Sequence, residues 1–331
     1  MPARGTTGRV RWGIIGAAGI ARKAFLPAVA EAGGVAAAVA GRDPERTARW
    51  ARDNGVDRAI AGYQQLIEDP QIDAVYIPLP NALHAEWTTK ALLAGKPVLC
   101  EKPLTVSLPE AEQVLAVAAE TGTLLWEAFV FPFHDQMRRI RALLADGVIG
   151  ELREIQSNYH FAMSDPGHNI RMSATLAGGA LNDVGCYPVR LARFLFAAEH
   201  DTVSAAAVWD PGGVDAETWG WLGFPGDRRL LLSCGFRRAQ DTFSALIGTA
   251  GQVHITNPFH PGPGDRFEVR AGGREPASYP GTGPDRYSFT PAVRHIQDAV
   301  SGREPPRWLA ADTSPGSARA LCDIAASAGR S

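Results

Sequence analysis

The chain has 331 residues, with 33 lysines and arginines against 35 aspartates and glutamates, a formal net charge of −2. That balance, with no long run of either sign, gives no electrostatic footprint for nucleic acid or anionic lipid, and the length exceeds a typical single core, so two domains are expected. Four cysteines, Cys100, Cys186, Cys234 and Cys322, stand far apart and form no CxxC pair, so no metal site or dithiol motif is indicated and a reduced, cytoplasmic protein is the simplest expectation.

From the amino end, MPARGTTG lacks the apolar segment of an export signal and leads directly into a strand. The longest small-apolar run, AGGVAAAVAG, is too short to cross a bilayer. VRWGIIG reads as a buried strand and ARKAFLPAVAEA as a helix, VAAAVAG as a strand and PERTARWARDNG as a helix, AVYIPL as a strand and HAEWTTKALLAG as a helix, and PVLCEKP as a fourth strand. Wholly apolar strands alternating with helices predict βαβ units, hence a doubly wound parallel sheet of Rossmann type.

After the helix LPEAEQVLAVAAETG the texture changes. HDQMRRIRALLADGVIG reads as a helix, and ELREIQSNYHFAM, TVSAAAVWD, TWGWLGFPG, RRLLLSCGFR, TFSALIGTAG and QVHIT read as successive strands. PGPGDR and PASYPGTGPDR read as loops, and PAVRHIQDAVSG and SARALCDIAASAG as closing helices. The expectation is an α/β Rossmann domain over residues 1–128 and an α+β domain with an open, mainly antiparallel sheet over residues 129–331.

IIGAAGIA places Gly16, Ala18, Gly19, Ile20 and Ala21 at a strand-to-helix turn, where backbone N–H groups can face a pyrophosphate. Gly16, Ala18 and Ala21 fit the spacing G-x-G-x-x-[GA] with alanine in the second glycine's place. The second strand runs into Gly41-Arg42-Asp43-Pro44-Glu45-Arg46. Gly41 offers a ribose no side chain, whereas Arg42 and Arg46 present two guanidiniums to a 2′-phosphate, which favours NADP(H) over NAD. Asp43 is the counter-evidence, since it either caps the next helix or takes the ribose. The strand ending Cys100-Glu101-Lys102-Pro103 points Lys102 at the crevice beyond the carboxyl ends of the sheet.

Glu101-Lys102-Pro103, GIIGAAGIA, Pro78-Leu79-Pro80-Asn81-Ala82-Leu83-His84 and GGALNDVGCYPV together resemble the glucose–fructose oxidoreductase, inositol dehydrogenase and rhizopine-catabolism (Gfo/Idh/MocA) family. The resemblance is strong over residues 9 to 195 and in outline beyond. It implies a nicotinamide bound between the domains and a polyol or sugar substrate, and it places Lys102 against nicotinamide ribose and substrate. It also implies that Glu101, Pro80, Asn81 and His84 contribute to the cofactor pocket, and that a free sheet face makes a homodimer or homotetramer.

In the inositol dehydrogenase branch the motif resembles D-x-x-x-H, whereas this chain has Asp183 and, four residues on, Tyr187. That spacing puts both side chains on one face of a helix or turn. The tyrosine version resembles the glucose–fructose oxidoreductase, dihydrodiol dehydrogenase and deoxysugar ketoreductase branches. A phenol is a poor base at neutral pH but a competent proton donor to a developing alkoxide, which a neighbouring ammonium would stabilise. Tyr187 is therefore the expected acid, Lys102 the polarising group and Asp183 a supporting residue.

Asn169-Ile170-Arg171, Tyr187-Pro188-Val189-Arg190 and Trp126-Glu127-Ala128-Phe129 resemble NDP-sugar 3-ketoreductases of deoxysugar biosynthesis. Arg171 either contacts a nucleotide phosphate or forms a structural ion pair. The expectation is an NADPH-dependent ketoreductase of a sugar or nucleotide-sugar. The alternatives are an aldose or trans-dihydrodiol dehydrogenase using the same residues in reverse and, from another class, a silent NADP-binding sensor.

Overall fold

The computed structural model describes residues 8–273 and 275–329; the polar start at 1–7, on which the expectation of no export signal partly rests, lies outside them. The chain divides into two compact units. The first comprises the described residues to Thr105, Pro109–Val130 and Asp285–Pro315, and the second Val106–Leu108, Phe131–Pro284 and the described residues from Gly316 on.

In the first unit the strands β1 (Arg11–Ile15), β2 (Val35–Gly41), β3 (Arg58–Ala61), β4 (Ala74–Ile77), β5 (Val98–Cys100) and β6 (Leu125–Glu127) form one sheet ordered β3-β2-β1-β4-β5-β6. The pairings are parallel, and the order reverses between β1 and β4, where the crevice of a doubly wound sheet opens. The connecting helices are α1 (Leu26–Glu31), α2 (Pro44–Asp53), α3 (Tyr63–Glu68), α4 (His84–Leu93) and α5 (Leu108–Thr121). β1, β4 and β5 are buried almost throughout because both faces of the sheet are covered. PVLCEKP supplies β5, the fifth strand rather than the fourth, since the four-residue β3, with alternating exposure, precedes it.

The second unit follows with α6 (Asp135–Ala145), β7 (Leu152–His160), α7 (Cys186–Phe196), β8 (Thr202–Trp209), β9 (Asp215–Phe224), β10 (Arg228–Gly235), β11 (Asp241–Gly248), β12 (Gly251–Ile255), β13 (Arg266–Ala271) and β14 (Ala277–Pro280). Its sheet is ordered β14-β13-β12-β11-β7-β10-β9-β8 and is antiparallel except where β10 runs beside β7. PASYPGTGPDR, expected as a loop, contributes β14, an edge strand ending at Pro280, where a missing N–H disturbs no central pairing. Two helices close the chain, α8 (Thr290–Val300) and α9 (Ser314–Ser327). On β9 and β10, Trp219, Trp221 and Leu231 stand partly exposed, and Leu231 lies opposite Trp221 in the register, so the three form one apolar stripe.

Two five-residue π-turns, Ala21–Phe25 and Leu181–Gly185, run directly into α1 and α7. Each is followed by a proline, Pro27 or Pro188, just inside the α-helix. Proline has no N–H to give the carbonyl four residues back and its ring crowds that oxygen; one wider turn relieves both.

Candidate active site

The residues expected to hold the cofactor stand at the carboxyl ends of the first unit's strands. Gly16 follows β1 with φ +113°, its N–H bonded to Ala40 O at 2.9 Å and its carbonyl accepting from Ala18 N at 2.9 Å. A Cβ here would lie 2.9 Å from Leu79 Cδ2, at the movable end of a side chain, so it is the backbone conformation that demands glycine. Gly19 and Ile20 are exposed, and the helix that follows has no side-chain cap at Ile20. Such a turn can accept a diphosphate. Ala21 has no exposed surface; it serves close helix–strand packing rather than contact with a ligand.

At the end of β2, a Cβ on Gly41 would meet Thr47 Oγ1 at 2.1 Å, and that hydroxyl donates to Asp43 O at 2.6 Å. Asp43 Oδ1 accepts from Arg46 N at 3.0 Å, so the aspartate caps α2, the first of its two sequence alternatives. Arg42 and Arg46 are both exposed beside this cap.

Lys102 is half-buried just beyond β5, and the Lys102–Pro103 peptide is cis. Glu101, expected to help bind the cofactor, is nearly buried and accepts from the Tyr76 hydroxyl at 2.6 Å. Glu127 accepts from Leu104 N at 2.8 Å and from Ser314 Oγ at 2.6 Å, so two carboxylates hold the turn that carries the lysine. Pro80 and Asn81 are half-exposed after β4.

His84 departs from expectation. It has no exposed surface with which to line a pocket; its Nδ1 lies 2.7 Å from Pro103 O and its Nε2 2.8 Å from Leu79 O. The ring therefore braces the segment after β4 against the one after β5. Burial holds its pKa below the usual histidine value against both carbonyl contacts, and the charge of Lys102 acts with burial.

The residues expected on the substrate side, apart from Lys102, lie in the second unit. The pair Gly178-Gly179 receives the backbone of residues 171–173: Gly178 N donates to Ser173 O at 2.9 Å and Gly179 N to Arg171 O at 2.7 Å. A Cβ at 178 would lie 2.3 Å from Arg171 O, and one at 179, where φ is +104°, would lie 2.2 Å from Asp215 Oδ1. Asp215, which the sequence reading missed, is buried and accepts from Leu181 N and Thr218 Oγ1, both at 2.7 Å.

Arg171 Nε donates to Asp183 Oδ2 at 2.6 Å, the ion pair that was one of its two alternatives. Burial opposes the guanidinium's charge, but Asp183 and the phenols of Tyr159 and Tyr187 raise its pKa overall. The intervening Cys186 is buried, its thiol 3.6 Å from Asp183 O.

Tyr187, at the start of α7, is 5% exposed. Its ring packs against Phe259 and Tyr159, with centroids 5.0 and 5.4 Å away, and its hydroxyl lies 3.0 Å from His260 Nε2. His260 was not anticipated. The Asn-Pro turn of Asn257-Pro258-Phe259-His260, followed by an aromatic pair, was a signal for a structured loop.

A cleft of about 470 Å³ opens beside residues 162–172, lined among others by Met163, Met172, Trp209, Phe236 and Arg237. Among the described residues no cluster of His, Cys, Asp or Glu could hold a metal ion, and no helix is long and apolar enough to cross a membrane.

Residues 10–129 match the Gfo/Idh/MocA oxidoreductase family, NAD-binding Rossmann fold, and residues 137–254 match the Gfo/Idh/MocA C-terminal domain. The chain is 37% identical to D-xylose 1-dehydrogenase (NADP(+)) 2 of Haloferax volcanii over 76% of this chain and 77% of that one. It is 44% identical to dTDP-3,4-didehydro-2,6-dideoxy-alpha-D-glucose 3-reductase of Actinomadura kijaniata over 59% of each. The crystal structure of KijD10, a 3-ketoreductase from Actinomadura kijaniata in complex with NADP and TDP-benzene, superposes with a TM-score of 0.88 at 33% identity, covering 97% of this chain and 98% of that one.

Proposed function

Because the chain belongs to the Gfo/Idh/MocA oxidoreductase family, we propose that it is an NADPH-dependent ketoreductase that reduces a carbonyl of a nucleotide-linked keto-deoxysugar. The observation that carries the reading is the buried, hydrogen-bonded Tyr187 of the second unit, in a chain that also has the Glu101-Lys102-Pro103 turn and is similar to dTDP-keto-sugar 3-reductases.

The residues present fit a phosphorylated dinucleotide. Gly16 and the helical start after it receive the diphosphate, helped by the backbone at Ala18 and Gly19, while the exposed Arg42 and Arg46 take the 2′-phosphate that Asp43, engaged as a cap, does not compete for. Pro80 and Asn81 would border the nicotinamide when it is bound. When bound, NADPH supplies the hydride. Lys102 holds the carbonyl oxygen and offsets the charge developing on it, and Tyr187 gives that oxygen its proton. Asp183 and Arg171 set the loop beside the phenol, and the remaining Arg171 donors and the cleft by Arg237 and Trp209 suit the anionic, aromatic nucleotide. The Trp219, Trp221 and Leu231 stripe is the face on which two copies would associate.

The test is NADPH oxidation with a dTDP-linked 3-keto sugar against NADP⁺ reduction with free aldoses and trans-dihydrodiols. Turnover of the nucleotide sugar alone supports the reading. Efficient oxidation of free aldoses would favour the dehydrogenase alternative suggested by the xylose dehydrogenase relative. Tight cofactor binding with no turnover of any of them would favour the sensor.

A further inference from the structure

The loop between β12 and β13 places an imidazole on Tyr187. His260 Nε2 lies 3.0 Å from the phenolic oxygen, and the two rings meet edge to face at 5.3 Å. The phenol is almost wholly buried, whereas the histidine is half-exposed, so the imidazole stands between a buried acid and water.

The loop is built to hold that geometry. Phe259 has no exposed surface and stacks on Tyr159 at 5.8 Å, fixing the residue before the histidine. Asn257 closes around it: its Oδ1 accepts from His260 N at 3.1 Å, and its Nδ2 donates to His260 O at 2.8 Å and to Asp265 Oδ2 at 3.0 Å. Gln136 Nε2 ties Asn257 O to α6 at 2.9 Å, and Gly262 N donates to Asp265 Oδ2 at 2.7 Å. An ordinary surface loop needs none of these clasps.

We propose that His260 is a positioning and proton-relay residue for Tyr187, an inference that rests on Tyr187 being the acid. A phenol can aim its own proton at a substrate oxygen only if its hydrogen bond with the imidazole has the imidazole as donor. With Nε2 protonated, His260 donates to the phenolic oxygen and leaves the phenol hydrogen for the substrate; with Nε2 unprotonated, it would draw that hydrogen away.

The step balances as follows. Hydride from NADPH forms the new C–H bond, the carbonyl π pair passes to oxygen, and the Tyr187 O–H bond breaks as the product O–H forms. The phenolate then takes the Nε2 proton of the His260 imidazolium, and the neutral imidazole recovers a proton from water. The net consumption is one hydride and one solvent proton per carbonyl.

Among the described residues, the titratable and charged groups facing this pair include Tyr159 on β7, Arg171 and its partner Asp183 beyond the two phenols, and Asp265 within the histidine's own loop.

The experiment compares His260→Phe and His260→Gln with the parent chain and Tyr187→Phe, on whichever carbonyl substrate the parent reduces. The relay predicts that kcat falls about tenfold or more in His260→Phe, that KM for NADPH is unchanged, that the rate loses its decline across the imidazole titration range, and that added imidazole restores part of it. A second readout needs no turnover: with 3-fluorotyrosine at 187, the fluorine resonance follows phenol ionisation, which moves to higher pH in His260→Phe and less so in His260→Gln, whose amide still donates. Parental kcat, pH profile and phenol titration in His260→Phe would overturn the relay. If Tyr187→Phe is inactive while His260→Phe is unaffected, the relay alone fails; if Tyr187→Phe remains active, the acid assignment fails.

Discussion

Arg171 Nε donates to Asp183 Oδ2 at 2.6 Å, which makes the aspartate of the D-x-x-x-Y motif an anchor for the loop before the glycine pair. Between this aspartate and Tyr187 the helix winds as a π-turn rather than an α-turn, so the four-residue spacing does not by itself bring the two side chains together. Truncating either partner leaves the other charge half-buried beside the phenols. In a double-mutant cycle with Arg171→Met and Asp183→Asn, the coupling in kcat/KM is expected to be on the order of 1 kcal/mol, and the double variant is expected to be no worse than the poorer single one. Simple additivity would separate the two residues functionally.

The glycine pair is a steric requirement. Gly179→Ala must place a Cβ against Asp215 Oδ1 at φ +104° and so disturbs the carboxylate that holds Leu181 N. The expected loss is about 1–3 kcal/mol of unfolding free energy, read from the shift in denaturant midpoint at constant slope. Gly19→Ala meets open space and is expected to be near neutral for stability.

His84 makes stability depend on pH. Its folded pKa lies below the unfolded value of about 6.5, so below that pH the unfolded chain binds a proton that the folded chain resists. Stability from this site is complete above the unfolded pKa and is lost as pH falls towards the folded one. His84→Gln should lower the melting temperature near neutrality and flatten its decline on acidification; an unchanged acid slope would assign the decline to other groups, such as His160 and His295, whose pKa values burial also lowers.

Cofactor choice turns on Arg42 and Arg46. Arg42→Ala is expected to weaken NADPH binding about tenfold, roughly 1.4 kcal/mol, and leave NADH binding unchanged, with Arg46→Ala smaller in effect. Fluorescence titration of both nucleotides reads the ratio. Equal weakening of both would remove the 2′-phosphate from the assignment.

Much of this architecture is legible in the chain because β1, β2, β4 and β5 are continuous apolar runs and Gly16 and Gly41 punctuate their ends. β3 and β6 are not, because four residues with alternating exposure and a three-residue strand give too little periodicity. β13 and β14 are hidden by flanking glycines and prolines. The segment 285–315 groups with the first unit although it lies beyond every strand of the second sheet, and an amphipathic helix such as α8 does not reveal which core it covers. At the site, Lys102 and Tyr187 are visible through motifs. The use of His84 as a brace and the hydrogen bond between Tyr187 and His260, 73 residues apart, depend on packing that no local pattern carries.

The most direct measurement of the central claim is single-turnover hydride transfer from bound NADPH to a dTDP-linked 3-keto sugar in Tyr187→Phe, alongside the cofactor dissociation constant. A rate lower by about a hundredfold or more with NADPH affinity intact is the predicted result. Hydride transfer at the parental rate would contradict the assignment of Tyr187 as the proton donor.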